Sequence, residues 1–335
     1  MANSRLSVET KVITEGAIMA SITAVLALAG VFIPLINPVV MLVWTLPVVV
    51  ICVRHGMRAG IATITVAGVL ILIIATPVNA FNMLLCSVGP ALLIGQGFYR
   101  KWTTEKTIFY TVVTAILGLT ADVLISSKVM GISVTQMFTI EPDVVDEMVA
   151  MISSNGLLSS MYANQAEMAE SINSMVDNMI MVLPAALVMY GLFTAITNYA
   201  VAYFSLRRLK EQVPPFTKLS TFRLPTPFLI GFVAGFALLM ISSTYPDYQS
   251  SLSAIGQNVL SVFLVLYAFQ GFGLALFYIG KLAPQRQGTF KFLLVFFIIL
   301  SGFSLLMIIS YVGVFDAFLD FRGIDIGSVR KKRIL

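Results

Sequence analysis

The sequence predicts an all-α fold: a polytopic helical membrane bundle of about eight or nine transmembrane helices. Three observations carry that prediction. Hydrophobic types make up 58% of the 335 residues and charged types 11%. Soluble domains hold about 25% charged residues, so this chain has too little polar surface to be solvated by water. Uncharged runs recur at the length that crosses a hydrocarbon core: residues 16–53, 59–99 and 178–206 contain no Asp, Glu, Lys or Arg, and a span needs roughly 20 apolar residues. The cations gather in alternate connections, as orientation signals do.

The elements follow in order. The first uncharged run is too long for one helix. Pro34, Asn37 and Pro38 divide it into helices over 13–33 and 37–53, because proline cannot continue a helical hydrogen-bond ladder. Arg5 and Lys11 precede an Ala27-Leu28-Ala29 triplet that mimics a signal-peptide cleavage site. The apolar run continues well beyond it, so an uncleaved first helix is expected. Arg54-His55-Gly56-Met57-Arg58 is a basic turn. Thr76-Pro77-Val78-Asn79 separates helices over 59–75 and 80–99, and a fifth helix, 107–126, carries Asp122. Residues 128–177 hold seven carboxylates against the single Lys128. Within them Val144–Ile152 and Met161–Met175 read as short amphipathic helices, too polar to span. Further spans are expected over 178–206, 227–244, 251–280 and 292–315. This gives three regions: a five-helix membrane region (1–127), an acidic extracytoplasmic excursion (128–177), and a C-terminal membrane region of three to four helices with a basic tail (178–335).

With a cytoplasmic N-terminus, fifteen Lys and Arg fall in cytoplasmic segments and only Lys128 outside, which fixes the expected orientation in the membrane. Nine spans would leave Arg330-Lys331-Lys332-Arg333 outside, against the rule. Ser301-Gly302-Phe303-Ser304, at the middle of the ninth, is where that segment could bend back.

Intramembrane ionisable groups are costly and mark function. Asp122, Asn82, Asn198 and Glu15 are the candidate substrate contacts. Competing readings stand beside them. Glu15 can sit at the cytoplasmic interface, favoured by a helix N-terminus, and amides such as Asn82, Gln96, Asn198, Asn258 and Gln270 often bond between helices. Ala17, Ala20 and Ala24 form a small-residue face on the first helix, suited to close helix packing or to a partner. Cys52 and Cys86 lie in apolar runs and read as small hydrophobes. His55 is the sole histidine, and no phosphate-binding glycine loop with a lysine occurs. No triad or metal-ligand set can be assembled from these residues, so neither an enzyme nor a metal or other cofactor is expected.

Three segments carry a resemblance. Thr14-Glu15-Gly16-Ala17, the turn Val53-Arg54-His55-Gly56-Met57-Arg58-Ala59-Gly60, and the ending Gly313-Val314-Phe315-Asp316-Ala317-Phe318-Leu319-Asp320-Phe321-Arg322 resemble the YybS-like family of bacterial membrane proteins. The likeness covers almost the whole chain. It singles out Arg54, His55, Gly56 and Arg58 as a cytoplasmic motif, and Asp316, Asp320 and Arg322 as a C-terminal one. It implies membrane residence and brings no activity with it. More distantly, helices one to six resemble the substrate-binding S components of energy-coupling-factor vitamin transporters. That likeness implies a small-molecule site near the outer face, and docking of Ala20 and Ala24 to a scaffold subunit that works with an ATPase. The acidic insertion and the extra C-terminal helices depart from that pattern. The expected function is a small-molecule binding or transport subunit in the lipid bilayer; the alternative is a non-transporting scaffold or regulatory protein.

Overall fold

Proline and glycine set the helix boundaries in the computed structural model, which describes residues 2–154, 164–215, 217–301 and 303–323. Helix α1 (Ala2–Phe32) runs to the break at Pro34, where the Asn37 side-chain amide donates to the Gly30 carbonyl at 3.0 Å and fixes the turn. The second predicted span is two helices, α2 (Asn37–Val43) and α3 (Leu46–His55). They part at Trp44-Thr45 because Pro47, in the first turn of α3, has no N–H to donate back. Gly56, at φ +84°, ends α3 and opens α4 (Met57–Ile74). Pro77 starts α5 (Pro77–Tyr99), and Thr103 caps α6 (Thr104–Met130) by accepting from the Lys106 N–H at 3.3 Å. Gly131, left-handed at φ +70°, terminates α6, as glycine does where a helix ends in a left-handed cap.

The acidic region forms α7 (Pro142–Ser154) and α8 (Gln165–Met181). They bury Val145 and Val149 against Met168 and Ile172, each helix offering one apolar stripe. Residues 161–163 of the second predicted amphipathic stretch, and the basic cluster 330–333, lie outside the described residues. Beyond follow α9 (Leu183–Arg208), α10 (Pro227–Ser242), α11 (Gln249–Lys281), α12 (Pro284–Ser301) and α13 (Phe303–Leu319).

Seven described segments are long and apolar enough to cross a membrane, and α10 and most of α13 are shorter apolar helices. Within the most apolar stretch of each of the seven, only 17–50% of residues are buried inside the protein. Leu35, Ile73 and Ile230 are among many large apolar side chains left exposed. A surface of that kind requires hydrocarbon as its solvent.

The chain divides into two compact units. Unit 1 comprises residues 1–180 and 186–216, so α9 groups with the N-terminal helices, whereas composition alone places a boundary at 178. Its core packs Ala20, Ala24 and Ala27 of α1 against Trp44 and Val48 and against Ile64 and Ala67 of α4. A second cluster joins Val49, Ile94 and Phe98 to Tyr199 and Leu206 of α9.

Unit 2 comprises residues 181–185 and 217–335. Asn258 ties the first of these segments in: it donates to the Met181 carbonyl at 2.7 Å and accepts from the Ala185 N–H at 2.8 Å. Helices α11 and α13 cross at Gly271 and Gly313, where a Cβ on either would run into a backbone carbonyl of the other helix, at Ile309 or Tyr267. Small residues permit such close approach between membrane helices. Over the ninth span expected at 292–315, the described residues form α12 and α13, on either side of residue 302. The turn after α13 rests on the 218–224 connection: Arg322 donates to the Ser220 carbonyl at 3.0 Å. Lys218 and Arg322 are therefore on one side, and an even number of crossings separates them.

Candidate intramembrane binding site

Close packing of α5 on α6 builds the first site. Gly118 abuts the Leu85 carbonyl and Gly89 abuts Thr114. This register sets Asn82 over Asp122, with the amide Nδ2 donating to the carboxylate Oδ2 at 2.7 Å. Asp122 is only 7% exposed, while Asn82 keeps an exposed flank. Cys86, one turn along α5 on the same face, and the Tyr190 hydroxyl of α9 adjoin this pair, and Thr194 bonds Tyr190 in turn. Among the described residues no Lys, Arg or His lies within ion-pairing distance of Asp122. The arrangement is a buried carboxylate with an amide donor, a thiol and a phenol nearby, and no fixed cation. Sequence reasoning proposed Asp122 and Asn82 together but left Cys86 and Tyr190 out. The four-residue spacing from Asn82 to Cys86, which places both on one helix face, was the available signal for the cysteine.

Glu15 is elsewhere, about 25 Å along α5 from Asn82 near the Tyr99 end. His55 Nε2 donates to Glu15 Oε2 at 2.8 Å, and Arg54 and Lys11 each reach Glu15 at 3.9 Å. Arg54 also bonds Glu211, past the end of α9, at 2.8 Å. Glu211 was missed, because an isolated acid in a basic connection gives no signal of which cation it meets. Gly56 is buried with the Tyr99 ring against it, and Arg58 is exposed on α4. Lys11, Glu15, Arg54, His55, Tyr99 and Glu211 border an open basin of about 720 Å³. Asn198 joins neither site. It is half-buried beside Thr45 and Leu46 on a recess of about 10 Å³, the least that one water requires.

Of the two readings of the small-residue face, close helix packing fits Ala20 and Ala24, which are 1% and 3% exposed inside the bundle's own core, whereas docking to a scaffold subunit does not fit them; Ala17 faces outward.

Unit 2 brings the C-terminal motif together. Asp316 and Arg322 are fully buried, and Arg322 donates from Nε at 3.1 Å and from its terminal nitrogen at 2.6 Å to one oxygen, Asp316 Oδ2. Gln270 donates to the same oxygen at 2.9 Å and accepts from the Leu224 N–H at 3.0 Å. Arg223 pairs with the more exposed Asp320 at 2.8 Å. This carboxylate is matched by a guanidinium, as buried charges require, and reads as a clasp between segments. Among the described residues no group of three or more His, Cys, Asp or Glu could hold a metal ion.

Apolar, lipid-demanding helices around a few buried polar constellations define a polytopic α-helical membrane protein. Residues 21–317 match the family described as "Predicted membrane protein (DUF2232)", and the chain belongs to that family. It is also similar to "Uncharacterized protein YybS" of Bacillus subtilis (strain 168), at 24% identity over 279 residues covering 82% of this chain and 86% of the relative. No solved structure gives a match. These likenesses support the YybS-like resemblance and do not extend to the S components.

Proposed function

We propose that unit 1 is a small-molecule binding subunit of a bacterial cytoplasmic membrane, taking a ligand through a cationic or hydrogen-bond-donating group at Asp122. One observation carries this reading: Asp122 is buried in an apolar helix bundle with an amide donor and, among the described residues, no cation within ion-pairing distance. A carboxylate so placed is costly until a positive group or a proton joins it. Asp316 supplies the contrast within the same chain, since its charge is already balanced by Arg322. Cys86 and Tyr190 add polar atoms on the same side as Asp122. The excess of Lys and Arg near Glu15 supports a cytosolic position for that end of the unit, with Asp122 toward the outer face.

The test is the thermal unfolding midpoint of the detergent-purified full chain across a panel of amine-bearing metabolites, for wild type and for Asp122→Asn. The reading expects at least one amine to raise the midpoint of wild type and not of the variant. A panel that shifts neither protein, or both equally, refutes it. A second reading, a scaffold without substrate, draws on the near-absence of space at Asn198. It expects no ligand-dependent shift and a partner protein retained in mild detergent.

A further inference from the structure

The basin around Glu15 has a property that the reading of Asp122 does not use. Two of the helices that border it, α5 and α9, end in the same way. After α5, Trp102 N–H bonds the Gly97 carbonyl at 2.8 Å; after α9, Glu211 N–H bonds the Leu206 carbonyl at 3.0 Å. Each closure turns on one left-handed residue, and in both it is lysine: Lys101 at φ +52° and Lys210 at φ +59°. Helix α6 closes identically, through Ile132 N–H to the Ser127 carbonyl, but uses Gly131. Glycine takes that conformation without strain, whereas a residue with a Cβ does not. Of the three described non-glycine residues with positive φ, Lys101, Lys210 and Asp320, the two lysines close helices in this way, and both line the same basin.

The remaining charges are already engaged. Glu15 is held by His55, Arg54 and Lys11, and Glu211 by Arg54. Lys101 and Lys210 have no acceptor among the described residues, and Tyr99 forms an aromatic wall beside them. The basin's 720 Å³ falls in the range of small-molecule sites and is far larger than a lone ion needs.

We propose that this basin binds a phosphate-bearing anion between Lys101 and Lys210. The phosphate comes from a soluble phosphorylated compound or from an anionic lipid headgroup, since the basin opens where the helices end. Each ammonium supplies a charge-assisted hydrogen bond.

The experiment uses the full chain and the double variant Lys101→Asn/Lys210→Asn. Asparagine tolerates the left-handed conformation, so folding is kept while both charges go. One arm titrates inorganic phosphate against chloride at matched ionic strength and reads the unfolding midpoint. The other incorporates the chain into phosphatidylcholine nanodiscs with or without phosphatidylglycerol and reads retained lipid by native mass spectrometry. The proposal expects one source to bind wild type, a loss of about tenfold in affinity per lysine removed, and recovery in Lys101→Arg/Lys210→Arg. Response to phosphate assigns a soluble ligand, and retention of phosphatidylglycerol a lipid one. It is overturned if neither source distinguishes wild type from the asparagine variant, or if Lys128→Gln, outside the basin, weakens binding as much.

Discussion

Replacing Arg322 with methionine removes the guanidinium from the unit 2 clasp while roughly keeping its volume. Three hydrogen bonds go with it, two to Asp316 Oδ2 and one to the Ser220 carbonyl. What remains is a fully buried carboxylate with Gln270 as its side-chain donor and with Oδ1 already lacking a partner. Stranding one member of a buried pair costs about 3–5 kcal/mol. At roughly 3 °C per kcal/mol for a unit of this size, the unfolding midpoint should fall by roughly 10 °C. The double variant Asp316→Asn/Arg322→Met removes both charges and should lose less than Arg322→Met alone, because no uncompensated charge is left inside. Asp320→Asn tests the paired position near the surface and should cost at most about 1 kcal/mol, since its carboxylate is 43% exposed. Thermal unfolding of the three variants in one detergent, followed by intrinsic fluorescence, measures all of this. An Arg322→Met midpoint within about 2 °C of wild type, or a double variant weaker than the single, would refute the clasp as a source of stability.

Two further outcomes follow from unit 2. In a cysteine-free background, single cysteines at Lys218 and Gly323 should label from the same side of the membrane with an impermeant maleimide. Labelling of 218 and 323 from opposite sides would contradict the contact between Arg322 and Ser220. Gly313→Val should abolish the close crossing of α11 and α13, because the added side chain meets the Tyr267 carbonyl. The expected readout is loss of monodisperse protein on gel filtration, whereas Gly280→Ala, in open surroundings, should elute as wild type.

The hydrophobic spans were legible because lipid acts on every residue that faces it, so length and apolarity register directly in composition. The division of the second span at Trp44-Thr45 was not foreseen, although Pro47 is the physical reason for it. Partners across helices were harder to read. Asp122 and Asn82 stood out singly as polar residues in apolar runs, but the 2.7 Å bond depends on Gly118 seating against Leu85, and one sequence does not reveal which ridge enters which groove. The same ambiguity left two readings open at Ala20 and Ala24. Their spacing announces a surface that something approaches closely, and it is silent on whether that neighbour is α3 and α4 of the same chain or another protein.

The grip of Arg322 on Ser220 also has a consequence for biogenesis. The two ends of the stretch from 220 to 322 are stitched to each other, so the ring cannot close until the ribosome has passed its last stitch. Until then Gln270 waits in the membrane without its acid, and a nascent chain halted short of residue 316 presents an unfinished polar seam to the quality-control machinery.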